Sequence, residues 1–334
     1  MNSAMIKGTG YYVPKNVVTN EDLSKLMDTN SEWIIERTGI KERRWIDNDD
    51  ESTSSMALEA SKNAITDAGI DKSEIDFIIF ATLSPDYYFP GPGVTLQKEL
   101  DIDTIGALDV RNQCSGFLYA LSIADQYIKT GMYNNILVVG SEYHSGGLDK
   151  TTRGRGVSVI FGDGAGAAIV SKSPDKNRGI LSTHLHSQGE HAEELALIGP
   201  STRRWVPEII DNEGKDDQSI YPYMNGTFVF KQAVTRFPQV IGEALQQNNL
   251  QTTDIDLLIP HQANLRISQF VQRSMKLTDD QVFNNIQKYG NTTAASIPIA
   301  LAEAKLEGRV KEGDLICLAA FGSGFTWASA LIRW

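Results

Sequence analysis

The feature that most constrains this chain is that it repeats itself. Residues 67–84, DAGIDKSEIDFIIFATLS, resemble residues 247–264, QNNLQTTDIDLLIPHQAN. Each runs from a helix end through a polar turn and an Ile-Asp pair into an apolar strand. The separation is 180 positions, from Asp76 to Asp256. Residues 114–131, CSGFLYALSIADQYIKTG, then lie over residues 291–308, NTTAASIPIALAEAKLEG, without a gap, 177 positions apart from Cys114 to Asn291. An apolar strand follows each, NNILVVG and DLICLAA. Two similar halves, 1–172 and 173–334, are expected to pack about a pseudo-twofold axis with their equivalent helices side by side in the middle. That register makes Cys114 and Asn291 equivalent, each opening a helix that leaves a strand, and brings both to one central cleft.

The elements within each half alternate. STSSMALEASKNAITDAG (52–69) has helical spacing, with Ser and Thr at its start and Gly69 at its end. IDFIIFATLS (75–84) is continuously apolar, as buried parallel strands are, and TIGALDV and NNILVVGSE read alike. Such alternation means an α/β protein with right-handed crossovers. A length of 334 residues is enough for two sizeable cores. No apolar run approaches the ~20 residues of a membrane span, and the first residues, MNSAMIKGTG, lack a signal pattern. Two cysteines 203 positions apart make no disulfide framework, so a reducing cytoplasm is expected. A net charge of −11 argues against nucleic acid as a partner, and an acidic partner would need a local basic patch.

A lone cysteine is most often a small buried hydrophobe, and Cys317, inside DLICLAAFG, fits that description. Cys114 does not, because NQCSG surrounds it with small and polar residues at a turn. A thiol at a helix N-terminus feels the positive end of the dipole, which lowers its pKa toward the nucleophilic thiolate. The same geometry offers backbone N–H groups to an oxyanion during acyl transfer. His261, in PHQANLRI, follows the strand IDLLIP, at the end where open α/β sheets hold their ligands. His144, His184, His186 and His191 read as surface-loop histidines. Cysteine, histidine and asparagine also make a papain-like protease, whose surrounding signatures are absent. GDGAGA (162–167) formally matches a dinucleotide fingerprint, but AIVSKS after it reads as a strand, so a glycine-rich turn is the better reading. In FGSGFTWASALIRW, Gly322 and Gly324 mark a tight turn, either a plain hairpin or a source of an oxyanion-binding backbone N–H.

With Cys114, His261 and Asn291 in hand, the sequence closely resembles the β-ketoacyl-acyl carrier protein synthase III family of the thiolase-like superfamily. The matching stretches are SEWIIERTGIKERR (31–44), QCSGF (113–117), FGDGAGAA (161–168), PHQANLRI (260–267), YGNTTAASIP (289–298) and FGSGFTW (321–327), in family order over nearly the whole chain. The resemblance implies a five-layered α-β-α-β-α fold and a homodimer. It implies a decarboxylating Claisen condensation in which Cys114 takes an acyl group from acyl-coenzyme A and malonyl-acyl carrier protein is the second substrate. His261 and Asn291 would hydrogen-bond the malonyl thioester carbonyl, with backbone N–H groups of Cys114 and Ser323 as the oxyanion hole. Trp33, Arg37 and an arginine of TTRGRG would line the coenzyme A tunnel, Arg153 being preferred to Arg155. Phe89 would cross the dimer to close the partner's acyl pocket. Gln262, Arg266 and Arg273 would meet the acidic carrier protein, the two arginines seven residues apart on one helix face, with Lys276 nearby. No metal and no cofactor is implied, coenzyme A thioester being a substrate.

Residues 187–223 depart from the pattern. The segment is long and polar, with Trp205 inside it, and its counterpart borders the acyl pocket. If it folds over the pocket, a primer other than acetyl is expected. The leading expectation is the initiating enzyme of type II fatty acid synthesis. The alternatives are a relative recruited to secondary metabolism, a non-catalytic partner subunit (which would usually lack the cysteine) and a nicotinamide oxidoreductase.

Overall fold

The computed structural model describes residues 2–212 and 214–334. Its principal elements, in chain order, are β1 (Ala4–Tyr12), α1 (Ser31–Thr38), α2 (Thr53–Ala68), β2 (Phe77–Ala81), α3 (Pro92–Glu99), β3 (Gly106–Val110), α4 (Gly116–Thr130), β4 (Asn135–Glu142) and β5 (Gly164–Lys172). They continue with β6 (Gly179–Ser187), α5 (Val206–Asn212), α6 (Gly226–Gln247), β7 (Leu257–Pro260), α7 (Leu265–Met275), α8 (Ser296–Leu306), β8 (Leu315–Gly322) and β9 (Thr326–Arg333). The end signals of α2 act as expected. Ser52 accepts from the N–H of Ser55, Ser55 answers on the N–H of Ser52, and Gly69 closes the helix at φ +62°.

The strands form two principal sheets. The first has the order β1-β5-β4-β2-β3, with β2 parallel to both its neighbours and the rest antiparallel. The second has the order β6-β9-β8-β7, with β7 and β8 parallel. Where the second sheet would match β3, it has one isolated parallel bridge, Leu258 to Val282. Asp76 donates its N–H to the carbonyl of Asn135, and Asp256 does the same to Leu315. Each of the two carboxylates also accepts from the start of that same strand.

The helices supply the other three layers. α4 and α8 lie between the sheets, where Phe117, Leu121 and Ile297 share one core with Ile79 and Val138 of the first sheet and with Ile259 and Leu318 of the second. Every residue of α8 from Ser296 to Ala304 is buried, as a helix enclosed on all sides requires. α2 covers the outer face of the first sheet. α6 and α7 cover the second, their Phe237 and Val271 packing with Leu258 and Phe321. The result is the five-layered α-β-α-β-α thiolase fold. Cys317 sits in that last core, where burial pushes its thiol up to about 12, the state of an inert hydrophobe.

The structure corrects the register of the repeat. A short turn, Gln113–Ser115, precedes α4, and its counterpart before α8 is Thr293–Ala295. Both turns carry a left-handed residue, Gln113 at φ +41° and Thr293 at φ +49°. The separation is 180 here too, so the counterpart of Cys114 is Ala294, and Asn291 stands three positions earlier. The cause is that α8 has 11 residues against 15 in α4. Without a gap, the helix ends Gly131 and Gly308 fall together and the starts slide by about a turn.

Candidate active site

A cavity of about 920 Å³ opens between the first sheet's helical turns and the outer helices of the second, and Cys114, His261 and Asn291 all line it. Cys114 sits in the turn ahead of α4 rather than in the helix itself. The end of β8 lies against it so closely that a Cβ on Gly322 would stand 2.5 Å from the Cys114 Cβ and 2.7 Å from its sulfur. Backbone N–H groups of Ser323 and of Cys114 itself favour the thiolate, but burial and then the charge of Glu142 outweigh them and push the thiol up to about 12. Burial and Glu142 thus act against the lowering that the sequence reading expected.

Glu142, at the end of β4, is a functional neighbour that sequence reasoning missed. It is fully buried and accepts from the hydroxyls of Thr82 and Ser84 at 3.1 and 2.7 Å and from the N–H of Leu83. Burial lifts it to about 7 despite those donors. The available signal was an acidic residue closing the apolar run NNILVVGSE.

His261 leaves the end of β7, where its N–H donates to the carbonyl of Ala319 at 2.8 Å. Its Nδ1 lies 2.6 Å from the Ser296 hydroxyl, while its buried Nε2 has no partner among the described residues. Burial lowers it to about 3, so the ring is neutral at neutral pH. A serine hydroxyl can donate to Nδ1 or accept from it, so either tautomer is available, with Nε2 as donor or as acceptor. An orphaned buried nitrogen costs about 1–3 kcal/mol, which a bound substrate atom would offset.

Asn291 is fastened through its backbone to the glycine-rich stretch. Its N–H donates to the carbonyl of Ile160 at 2.8 Å, and its carbonyl accepts from Gly162 at 3.1 Å. A side chain at Gly162 would strike the carbonyl of Tyr289 at 2.1 Å. A helical turn, Arg155–Ser158, precedes this stretch and β5 follows it, the reverse of the strand-then-helix order that a dinucleotide needs. Asn291 Oδ1 accepts from the N–H of Thr293 at 2.8 Å, so its Nδ2 is the group left to donate.

Trp33 and Arg37 on α1 line the cavity, the guanidinium 4.8 Å from the indole centroid. Arg153 also lines it, held by Asp149 at 2.5 Å and lying 5.1 Å from the Tyr221 ring. Arg155 does not; it covers Trp33 at 5.1 Å and reaches Asp28. Arg266 lines the cavity beside Phe230, and Arg273 is exposed further along α7. Neither makes an ion pair among the described residues. Lys276 closes α7 in a left-handed conformation.

Gln262 is buried, its Nε2 donating to the carbonyl of Pro260 at 2.6 Å and its Oε1 accepting from the N–H groups of Asn285 and Ile286 at 3.0 and 3.1 Å. With both ends consumed beneath His261, it has nothing to offer a carrier protein. Residues 187–223 border the cavity, as the sequence reading required, through Leu195, Ser219, Tyr221 and Tyr223, while Trp205 is half exposed and outside the lining. Phe89 is 82% exposed on a loop with the exposed Tyr87 and Tyr88, away from this chain's cavity. The Ser323 hydroxyl is committed to the carbonyl of Leu195, leaving its N–H for a reacting oxygen. Among the described residues, no group of three His, Cys, Asp or Glu could hold a metal ion.

The family pattern of 3-oxoacyl-(acyl carrier protein) synthase III matches residues 108–189, and that of its C-terminal part matches residues 245–334. The chain is 46% identical over 334 residues to β-ketoacyl-(acyl carrier protein) synthase III of Pseudoalteromonas atlantica, covering 100% of both. A solved 3-oxoacyl-(acyl carrier protein) synthase III from Aquifex aeolicus is 43% identical, with a TM-score of 0.90, over 99% of this chain and 100% of that one. The priming β-ketosynthase of the R1128 polyketide pathway is 31% identical, with a TM-score of 0.89, over 99% and 96%.

Proposed function

The chain belongs to the 3-oxoacyl-(acyl carrier protein) synthase III family, and from that premise we propose that Cys114, His261 and Asn291 run a two-stage decarboxylating condensation. The enzyme is a condensing acyltransferase of the kind that initiates fatty acid synthesis. In the first stage the Cys114 sulfur attacks the thioester carbonyl of acyl-coenzyme A. Its proton leaves to water as the new bond forms, and the departing coenzyme A sulfur takes one up. The N–H groups of Cys114 and Ser323 receive the oxyanion. In the second stage malonyl-acyl carrier protein loses carbon dioxide, and the bond's electron pair becomes an enolate on the thioester oxygen. His261, in its Nε2–H tautomer, and Asn291 Nδ2 donate to that oxygen. The enolate carbon then attacks the acyl-Cys114 carbonyl, releasing the thiolate, which takes up a proton, and the 3-oxoacyl product.

The observation that carries this reading is the pair of donors, the partnerless His261 Nε2 and the Asn291 amide, in one cavity wall with Cys114. The test measures the half-reactions separately. Cys114→Ala should abolish acylation, while His261→Ala and Asn291→Ala should acylate but lose roughly 10²–10³ in malonyl decarboxylation. Equal loss of both half-reactions in all three variants would overturn the division of roles.

We further infer that Trp33, Arg37 and Arg153 meet coenzyme A at the cavity mouth, and that Arg266 and Arg273 meet the carrier protein. The chain is proposed to divide into duplicated halves at about residue 172 and to work in the cytoplasm as a homodimer, coenzyme A entering only as substrate. The half-exposed edge strand β3 and the bare Phe89 loop support a dimer. Sedimentation as a monomer at micromolar concentration would count against it. Among the described residues no helix is long and apolar enough to cross a membrane. Recruitment to secondary metabolism is not favoured, since relatives at 44–46% identity over 98–100% of the chain are named β-ketoacyl-(acyl carrier protein) synthase III.

A further inference from the structure

Behind Asn291 stands a side chain that the two stages above do not use. His144 follows the end of β4, and its Nε2 lies 2.7 Å from the hydroxyl of Thr293. Thr293 is the residue whose N–H orients the Asn291 amide. It is also β-branched and left-handed at φ +49°, a conformation that persists only where the surroundings impose it. His144 is placed to impose it. Its ring packs on Phe161, with centroids 4.6 Å apart. Its backbone is pinned by Asp163, whose Oδ1 accepts from the N–H groups of His144 and Ser145 at 2.7 and 2.9 Å. Asp163 Oδ2 is in turn held by the N–H of Ile46 and the hydroxyl of Ser145. Burial lowers the imidazole to about 3, so the ring is neutral at neutral pH.

The orientation matters because an amide has two faces. Turned over, Asn291 would offer an oxygen where the developing enolate needs a donor. The Thr293 N–H on Oδ1 forbids that reversal, and the left-handed turn is what aims the N–H. We propose that His144 is a positioning residue for decarboxylation: by holding Thr293 in its turn, it keeps Asn291 Nδ2 toward the malonyl carbonyl. This rests on the reading of Asn291 as an enolate donor.

The test uses His144→Phe, which keeps an aromatic ring against Phe161 and removes the bond, and His144→Gln, whose amide reaches as far as Nε2. His144→Phe should lower malonyl decarboxylation about five- to tenfold, the worth of one neutral hydrogen bond, with Cys114 acylation held within about twofold. His144→Gln should recover most of the loss. In an Asn291→Ala background His144→Phe should do nothing more, because no amide remains to orient. Equal loss in both half-reactions, or an undiminished loss in that background, would overturn the proposal. Should His144→Phe fail to fold, Thr293→Ala removes the same bond from the other side and is read in the same way. The reading of Asn291 itself fails by a separate result, wild-type decarboxylation in Asn291→Ala alone.

Discussion

Gly322→Ala isolates the fit between the end of β8 and the nucleophile. The added methyl would stand 2.5 Å from the Cys114 Cβ, 2.7 Å from its sulfur and 3.3 Å from its backbone nitrogen. Carbon contacts are ordinarily about 3.5–4 Å, so one side must yield by about an ångström. β8 is the stiffer party, since Gly322 pairs with Thr326 of β9 and every residue of the strand is buried. The sulfur therefore moves, and it moves relative to the Ser323 N–H one residue away. Overpacking of this kind costs about 1–3 kcal/mol of stability. A reacting atom displaced by about 1 Å loses on the order of 10² in rate. Rapid-quench mass spectrometry of the acyl-Cys114 peptide should show acylation by acyl-coenzyme A slowed about a hundredfold, in a protein whose circular dichroism matches the parent. Gly147→Ala is the control, because nothing lies within 4 Å of a Cβ there. If Gly322→Ala acylates at the parental rate, the claim that Gly322 makes room for the sulfur is wrong.

Glu142→Gln should separate from the parent with pH. Between the ordinary 4.5 and the native value of about 7, the unfolded chain releases this proton while the native state keeps it, so the carboxyl removes stability as pH rises through that window. The advantage of Glu142→Gln in Tm should therefore grow from about pH 5 to about pH 8; a gap independent of pH would refute the assignment. Removing this like charge should also move alkylation of Cys114 to lower pH. Arg273→Glu reverses an exposed charge on α7 and should raise KM for malonyl-acyl carrier protein at low salt, less so at high salt, while acylation from coenzyme A stays intact. An unchanged KM would take Arg273 off the docking face.

Much of the site was legible because its parts are local. QCSGF, PHQANLRI and YGNTTAASIP each set a reactive side chain beside the turn that holds it, and the short apolar runs announced the sheets. What escaped depends on distance along the chain. Glu142 reads as an ordinary strand end until Thr82, Leu83 and Ser84, some sixty residues away, close around it. His144 looked like a surface histidine because its partner Thr293 lies 149 residues on. The thiol escaped for an energetic reason: backbone N–H groups of Ser323 and Cys114 favour the thiolate, but burial and the charge of Glu142 act against it and are larger. Gln262 sits beside His261 in sequence, and only the fold reveals that its amide turns inward to Pro260, Asn285 and Ile286.

The shared middle layer sets how the protein comes apart. Phe117 and Leu121 of α4 and Ile297 and Leu301 of α8 pack in a single core with strands of both sheets. Cut the chain near residue 172 and each fragment would present one flank of its central helix, and one face of its sheet, bare to water. Neither piece has the makings of a stable protein, however alike they are. Melting should accordingly be a single event rather than two, and a scar anywhere in α4 should be felt in the stability of the strands that follow residue 179. The two halves form one indivisible object.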